Sequence, residues 1–294
     1  MTAGLLLVDK PAGVTSHDVV AVIRRRFGSK VGHAGTLDPM ATGLMLVGVG
    51  AATRVLQFLV GLDKGYLATV RLGWATDTDD ATGQRISTES QARLPVAAEI
   101  DASLLMLIGE QQQLPSRYSA KKVGGKRAYN LARAGQEFEL QPSRIVIPAL
   151  ERTSELHRGD NFLDFEMRVD CSSGTYVRAI ARDLGDSLGC GGHLTALRRT
   201  RIGKFGVSQA AAPEAAELTN LPTVLRLIFP AVELSAEECG HARNGRLLQD
   251  RWHELNLQPT KLVAALDSEG HAVCILERNQ SGCQPKIVFA EDDQ

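Results

Sequence analysis

The chain has no Cys-x-x-Cys pair and only five cysteines, Cys171, Cys190, Cys239, Cys274 and Cys283, an odd number. A disulfide framework is not expected in a cytosolic chain of this size, and buried structural thiols are. Cys239, His241, His271 and Cys274 fall at spacings that match no zinc-ribbon pattern, so no metal site is expected. No apolar run reaches the ~18–20 residues needed to cross a bilayer. The first residues also lack the basic, apolar and small-residue zones of a signal peptide, since Leu5-Leu6-Leu7-Val8 ends at Asp9-Lys10. The expected location is the cytoplasm, away from membranes. No P-loop and no Gly-x-Gly-x-x-Gly stands at a strand–helix junction, which argues against a nucleotide cofactor. Asp77-Thr78-Asp79-Asp80 lacks the central glycine and distal glutamate of a calcium loop. A turn with one or two working carboxylates fits it better. A surplus of either charge is missing too: the formal net charge is −1, so the whole-chain balance does not mark a nucleic-acid binder.

Locally that balance breaks. From Gln111 to Gln136 there is no Asp or Glu, while Arg117, Lys121, Lys122, Lys126, Arg127 and Arg133 all fall there. Arg198, Arg199, Arg201 and Lys204 form a second basic cluster. Basic clusters on a neutral chain suit a localised polyanion site better than a wholly basic surface.

Hydrophobic periodicity gives the organisation. Residues 4–8 read as a buried strand, and 10–13 as a turn. A helix follows, with Ser16 as N-cap, Asp18 in its first turn and Gly28 as its stop. Residues 32–43 read as a loop, 44–49 as a strand, 53–62 as a helix and 66–72 as a strand. Helix is expected at 97–109 and 175–188, and strand at 162–169. Residues 112–144, with a helical patch at 128–134, read as a mobile excursion. After Phe229-Pro230 the texture becomes β-rich, with strands at 262–266, 272–276 and 286–290 and a hairpin loop at 267–270. The tail Glu291-Asp292-Asp293 is expected to fray. Two domains are expected, 1–228 and 229–294.

Asp38 lies in Gly35-Thr36-Leu37-Asp38-Pro39-Met40-Ala41-Thr42-Gly43, where Pro39 restricts it to extended conformations. Taken alone, this is better read as an ordinary turn with a capping aspartate. Its neighbours change that reading. Lys10-Pro11-Ala12-Gly13-Val14-Thr15-Ser16, the His33-to-Gly43 segment, Lys64-Gly65-Tyr66 with Thr76-Asp77-Thr78-Asp79-Asp80, Ser116-Arg117-Tyr118-Ser119-Ala120-Lys121-Lys122 with Gly125-Lys126-Arg127-Ala128-Tyr129, Ser173-Gly174-Thr175-Tyr176-Val177-Arg178 with Asp183-Leu184-Gly185, and Leu197-Arg198-Arg199-Thr200 follow one another in order. Together they resemble the motifs of the TruB-type pseudouridine synthases over residues 4–210. Within that family the resemblance is to the bacterial branch acting on tRNA. The eukaryotic and archaeal relatives act in guide-RNA particles, and this chain has no long basic tail of that kind.

The resemblance implies an α+β fold: a mixed, largely antiparallel sheet flanked by helices, with a thumb at about 112–144 and a small β-rich PUA-like domain at the end. It implies isomerisation of uridine to pseudouridine at position 55 in the T loop of tRNA, without cofactor or metal, by a monomer with no obligate protein partner. Asp38 would be the nucleophile. Arg178 would pair with it, Asp80 would position Arg178, and Tyr66 would stack on the uracil near enough for proton transfer. His33 would fill the gap left by the flipped base, and Tyr176 and Leu197 would line the nucleotide pocket. Lys10, counted with the substrate-binding set, would buttress the active-site loop together with Pro11. Lys121, Lys122, Lys126 and Arg127 would grip phosphates. An RNA chaperone, or a synthase acting on another RNA, shares most of these features.

Overall fold

A computed structural model describes residues 2–86, 93–119, 121–249 and 261–291. Strand β1 (Gly4–Lys10) leads to helix α1 (Ser16–Phe27). Thr15, not Ser16, caps that helix. Its hydroxyl accepts from the Asp18 amide, and the Asp18 carboxylate accepts in return from the Thr15 amide. The Ser16 hydroxyl instead bonds both backbone groups of Leu37, tying the helix start to the Asp38 loop.

The stretch expected to be loop from residue 32 begins as strand β2 (Val31–Ala34), which pairs antiparallel with β3 (Thr42–Val49). A 3-10 turn (Gly50–Arg54) and the short helix α2 (Leu56–Val60) divide the single helix expected next. Then come β4 (Lys64–Leu72), α3 (Ala97–Met106) and β5 (Gly109–Gln113). The excursion that follows is a closed stem. It carries the short strands β6 (Lys122–Val123) and β7 (Lys126–Arg127) and helix α4 (Ala128–Arg133). It returns in β8 (Ser143–Ile147), antiparallel to β5.

Strands β9 (Ala149–Arg152), β10 (His157–Arg158) and β11 (Leu163–Cys171) precede α5 (Val177–Ser187). Then follow β12 (Gly192–Ile202), β13 (Phe205–Gly206), β14 (Leu218–Asn220) and α6 (Leu221–Ile228). The main sheet runs β10-β11-β4-β12-β3-β1-β14. It is antiparallel throughout except where β12 meets β3. The fold is thus the expected α+β arrangement.

The last part comprises β15 (Ala231–Glu233), α7 (Ala236–Arg243), β16 (Leu262–Leu266), β17 (Ala272–Asn279) and β18 (Gly282–Val288), its strands forming one sheet in that order. It does not stand apart. Leu221 and Leu225 of α6, with Ala52 and Val55, share a buried cluster with Phe229, Leu262, Ile275 and Phe289. At the tail, Glu291 is ion-paired with Arg243 at 2.9 Å rather than frayed, while Asp292 and Asp293 lie outside the described residues. All five cysteines are buried and free.

Candidate active site

The Asp38 loop is fixed at both ends. Gly43 (φ 104°) sits beside β12 so closely that a Cβ there would lie 2.2 Å from the Arg199 carbonyl oxygen, so only glycine fits. At the other end the Lys10 ammonium, fully buried, donates to the carbonyls of Pro11 (2.9 Å), Val14 (2.8 Å) and Pro39 (3.2 Å). An ammonium has three protons, and all are used. Lys10 is therefore a buttress of the loop; direct contact with a substrate, its place in the expected binding set, is not available to it. Burial pushes its pKa down.

Asp38 projects from this loop half-exposed and accepts a 2.8 Å hydrogen bond from Arg178 Nε. Arg178 sits in the first turn of α5 with its side chain only 4% exposed. Its guanidinium also reaches Asp80 Oδ2 at 3.3 Å, the Thr78 carbonyl at 2.6 Å and the Tyr118 carbonyl at 2.8 Å. Asp80 is held in turn by Thr78 and Thr82. The run Asp77-Thr78-Asp79-Asp80 is thus a turn that presents acceptors to an arginine.

Beside Asp38 opens a cavity of about 260 Å³ lined by Tyr66, Leu197, Tyr176 and Arg178, with Lys64 and Arg199. Tyr66 on β4 and Arg199 on β12 are directly opposed across the antiparallel pair. Burial pushes the Tyr66 phenol up, so it is neutral at physiological pH. The adjacent Arg199 guanidinium pulls the other way by charge and hydrogen bonding. The Tyr176 backbone exchanges two hydrogen bonds with the Gln113 side chain, at 3.1 and 2.9 Å, which joins the stem of the excursion to α5. His33 does not line this cavity. It stands on β2, edge-on to His17 at 6.1 Å, with Nδ1 buried and without a hydrogen-bond partner among the described residues. Burial lowers its pKa and favours neutral imidazole.

Of the basic residues on the excursion, Lys121 is tied down. Its ammonium donates to the Gln141 carbonyl and to Ser143 Oγ, so it closes the stem instead of facing outward. The side chains of Lys122, Lys126 and Arg127 lie outside the described residues.

Three features escaped sequence reasoning. Arg182, one turn beyond Arg178, bonds Asp79, Asp183 and the Leu114 carbonyl, so two successive arginines of α5 grip the same turn and the same stem. Lys64 and Arg199, expected only as motif members, both face the cavity. Period-two spacing from Tyr66 and from Leu197 was the signal for both.

Burial lowers the Lys64 pKa from an ordinary 10.5 to about 8. Between those values the unfolded chain binds more protons than the folded one, so this site's contribution to stability rises with pH. Below about pH 8 the folded state carries the full cost of a buried charge. The stability of wild type relative to Lys64→Met is therefore expected to improve from pH 7 to pH 10. Urea unfolding at the two pH values measures it, and an unchanged difference would contradict the assignment.

The model for the TruB family pseudouridylate synthase N-terminal domain matches residues 24–177, and that for the tRNA pseudouridylate synthase B C-terminal domain matches residues 178–226. The tRNA pseudouridine synthase B of Mycobacterium sp. strain KMS is 49% identical over 292 residues, covering 97% of this chain and 96% of that protein. That of Mycobacterium tuberculosis strain H37Rv is 45% identical, covering 97% and 95%. Among solved structures, an H/ACA RNP bound to a substrate RNA containing 2′-deoxyuridine superposes with a TM-score of 0.68 at 21% identity, over 99% of this chain and 86% of that one. A Cbf5-Nop10-Gar1 complex gives 0.67, also at 21%, over 97% and 84%. At that identity the likeness concerns the fold alone.

Proposed function

The chain belongs to the TruB family of pseudouridylate synthases, and from that premise we propose that it isomerises the T-loop uridine at position 55 of tRNA, with Asp38 as the nucleophile. Pseudouridine formation breaks the N1–C1′ bond, turns the uracil and joins C5 to C1′. A carboxylate beside C1′ suits that chemistry, as it does in glycosidases. The observation that carries the reading is the Arg178 clamp, which fixes an accessible carboxylate at the mouth of a cavity floored by Tyr66.

Each neighbour then has a task. Arg178 holds Asp38 aimed, and Asp80 holds Arg178. Tyr66 offers a neutral aromatic face to the uracil. Tyr176 and Leu197 enclose the nucleotide. The target base must leave its stack, which costs a few kcal/mol. His33, whose burial favours the neutral ring, fills the vacated place in the RNA. The excursion at about 112–144 is the RNA-gripping thumb, where Lys122, Lys126 and Arg127 would meet phosphates. Residues 1–228 form the catalytic domain. Residues 229–294 form a PUA-like RNA-binding module fused to it through α6. The protein acts as a monomer in the cytoplasm. Among the described residues, no helix is long and apolar enough to cross a membrane.

The test is to treat an unmodified tRNA transcript with the protein and map pseudouridine by mass spectrometry. One pseudouridine in the T loop is expected, and none in a transcript with cytidine at that position. Modification only at other positions, or only of another RNA, would overturn the reading.

A further inference from the structure

Two buried cations in the active-site cavity have no carboxylate within ion-pair distance among the described residues. Arg199 is 1% exposed and Lys64 6%. Arg199 donates through Nε to the Leu44 carbonyl (2.7 Å) and through Nη2 to the Gly35 carbonyl (3.1 Å). Lys64 donates to the carbonyls of Val60 (2.9 Å) and Leu62 (2.6 Å), which leaves one of its protons uncommitted among the described residues. Neither has a carboxylate within ion-pair distance among those residues, whereas Arg178, across the same cavity, is balanced by Asp38 and Asp80. The two converge on Gly35: a Cβ there would lie 3.5 Å from Arg199 Nη1 and 3.7 Å from Lys64 Cε.

An uncompensated buried charge is costly, so a fold that retains two in one cavity implies an anion there at some stage. The substrate base is neutral. Resting on the pseudouridine synthase reading, we propose that Arg199 and Lys64 stabilise the uracil as an anion while it is detached from the ribose. When C1′–N1 breaks, its electron pair leaves with the base and spreads to O2 and O4, while the Asp38 carboxylate meets the deficit at C1′. On return, a ring pair forms C5–C1′ and Asp38 regains its own pair. C5 then loses its proton and N1 gains one, so charge and atoms balance. The cations face charge that exists only between the two bonds, where fixed donors accelerate a reaction most.

The experiment compares single-turnover rates on T-arm stem-loops carrying uridine or 5-fluorouridine at the target. Fluorine withdraws charge and makes the ring a better leaving anion, so consumption of the fluorinated base depends less on the cations. Lys64→Met and Arg199→Gln are each expected to slow uridine conversion about 100-fold. RNA affinity should stay within about threefold, and the slowing on 5-fluorouridine should shrink to about tenfold or less. Equal slowing on both bases overturns the proposal, as does a rate loss matched by lost affinity, which would make these residues phosphate ligands. If Arg199→Gln does not fold by circular dichroism, Lys64→Met decides the matter by the same criteria. A wild-type protein that leaves the uridine RNA unchanged overturns the functional reading itself.

Discussion

Asp38→Asn is expected to bind tRNA within about threefold of wild type and to make no detectable pseudouridine, a loss of roughly 10⁴-fold or more. The substitution keeps the size and shape of the side chain, and its amide oxygen can still accept from Arg178 Nε. What it removes is the negative charge that meets C1′. Binding should survive because RNA affinity comes mainly from phosphates and from the shape of the loop, not from one carboxylate at the mouth of the cavity. Folding should survive because Asp38 is half-exposed, its amide replacement still accepts from Arg178, and Asp80, at 3.3 Å, still faces the Arg178 charge. Quantitative pseudouridine assays and filter binding on one preparation measure both. Turnover within tenfold of wild type would remove Asp38 from its role. The variant also separates catalysis from any tRNA-folding activity, which it should keep.

Much of this site is legible in the sequence, for a physical reason. Glycine, proline and charged residues in short ordered motifs mark places where the backbone must bend or a charge must stand, and these signals survive without tertiary context. Asp38 alone read as a turn; it was the resemblance of those ordered motifs to a known family that singled out Asp38, Tyr66, Arg178 and Asp80, and the fold brings the four side by side. What was not legible is the destination of each polar group. Lys121 read as a phosphate-gripping cation, and Lys10 was counted with the binding set although a buttress was expected of it. Both donate to backbone carbonyls of neighbouring segments, which only the packed fold supplies. Ser16 read as a cap, but Leu37, 21 residues away, competes for its hydroxyl and leaves the cap to Thr15. His33 read as a loop residue because Gly32 and Gly35 flank it. Pairing with β3 overrides that local preference and draws Val31–Ala34 into the sheet. Arg199 was hidden for the opposite reason: it sits in a basic run that looks like a solvated surface, yet cross-strand pairing with Tyr66 turns it into the core.

Arg178→Met tests how far the clamp itself matters. The methionine fills much of the space but satisfies none of the four groups that Arg178 joins: Asp38, Asp80 and the carbonyls of Thr78 and Tyr118. Asp80, with a side chain 5% exposed, loses its cation. Removing one partner of a buried pair costs about 3–5 kcal/mol. Asp80 keeps hydrogen bonds from Thr78 and Thr82, which puts the expected loss near the lower end, about 3 kcal/mol. Domains typically have 5–15 kcal/mol in hand, so the variant should fold, with Tm lower by about 10 °C. Its activity should fall further than its stability suggests. Asp38 would lose the contact that aims it, and misplacement of a reacting group by an ångström costs about 10²-fold. The Tyr118 carbonyl would lose its link to α5 as well, loosening the thumb stem where it meets the active site. The expected result at saturating RNA is a kcat down by about 10³-fold, with RNA affinity reduced only several-fold. Calorimetry and single-turnover kinetics read the two effects separately. A protein with lowered Tm but wild-type kcat would show that the loop alone, bolted by Lys10 and Ser16, suffices to aim Asp38.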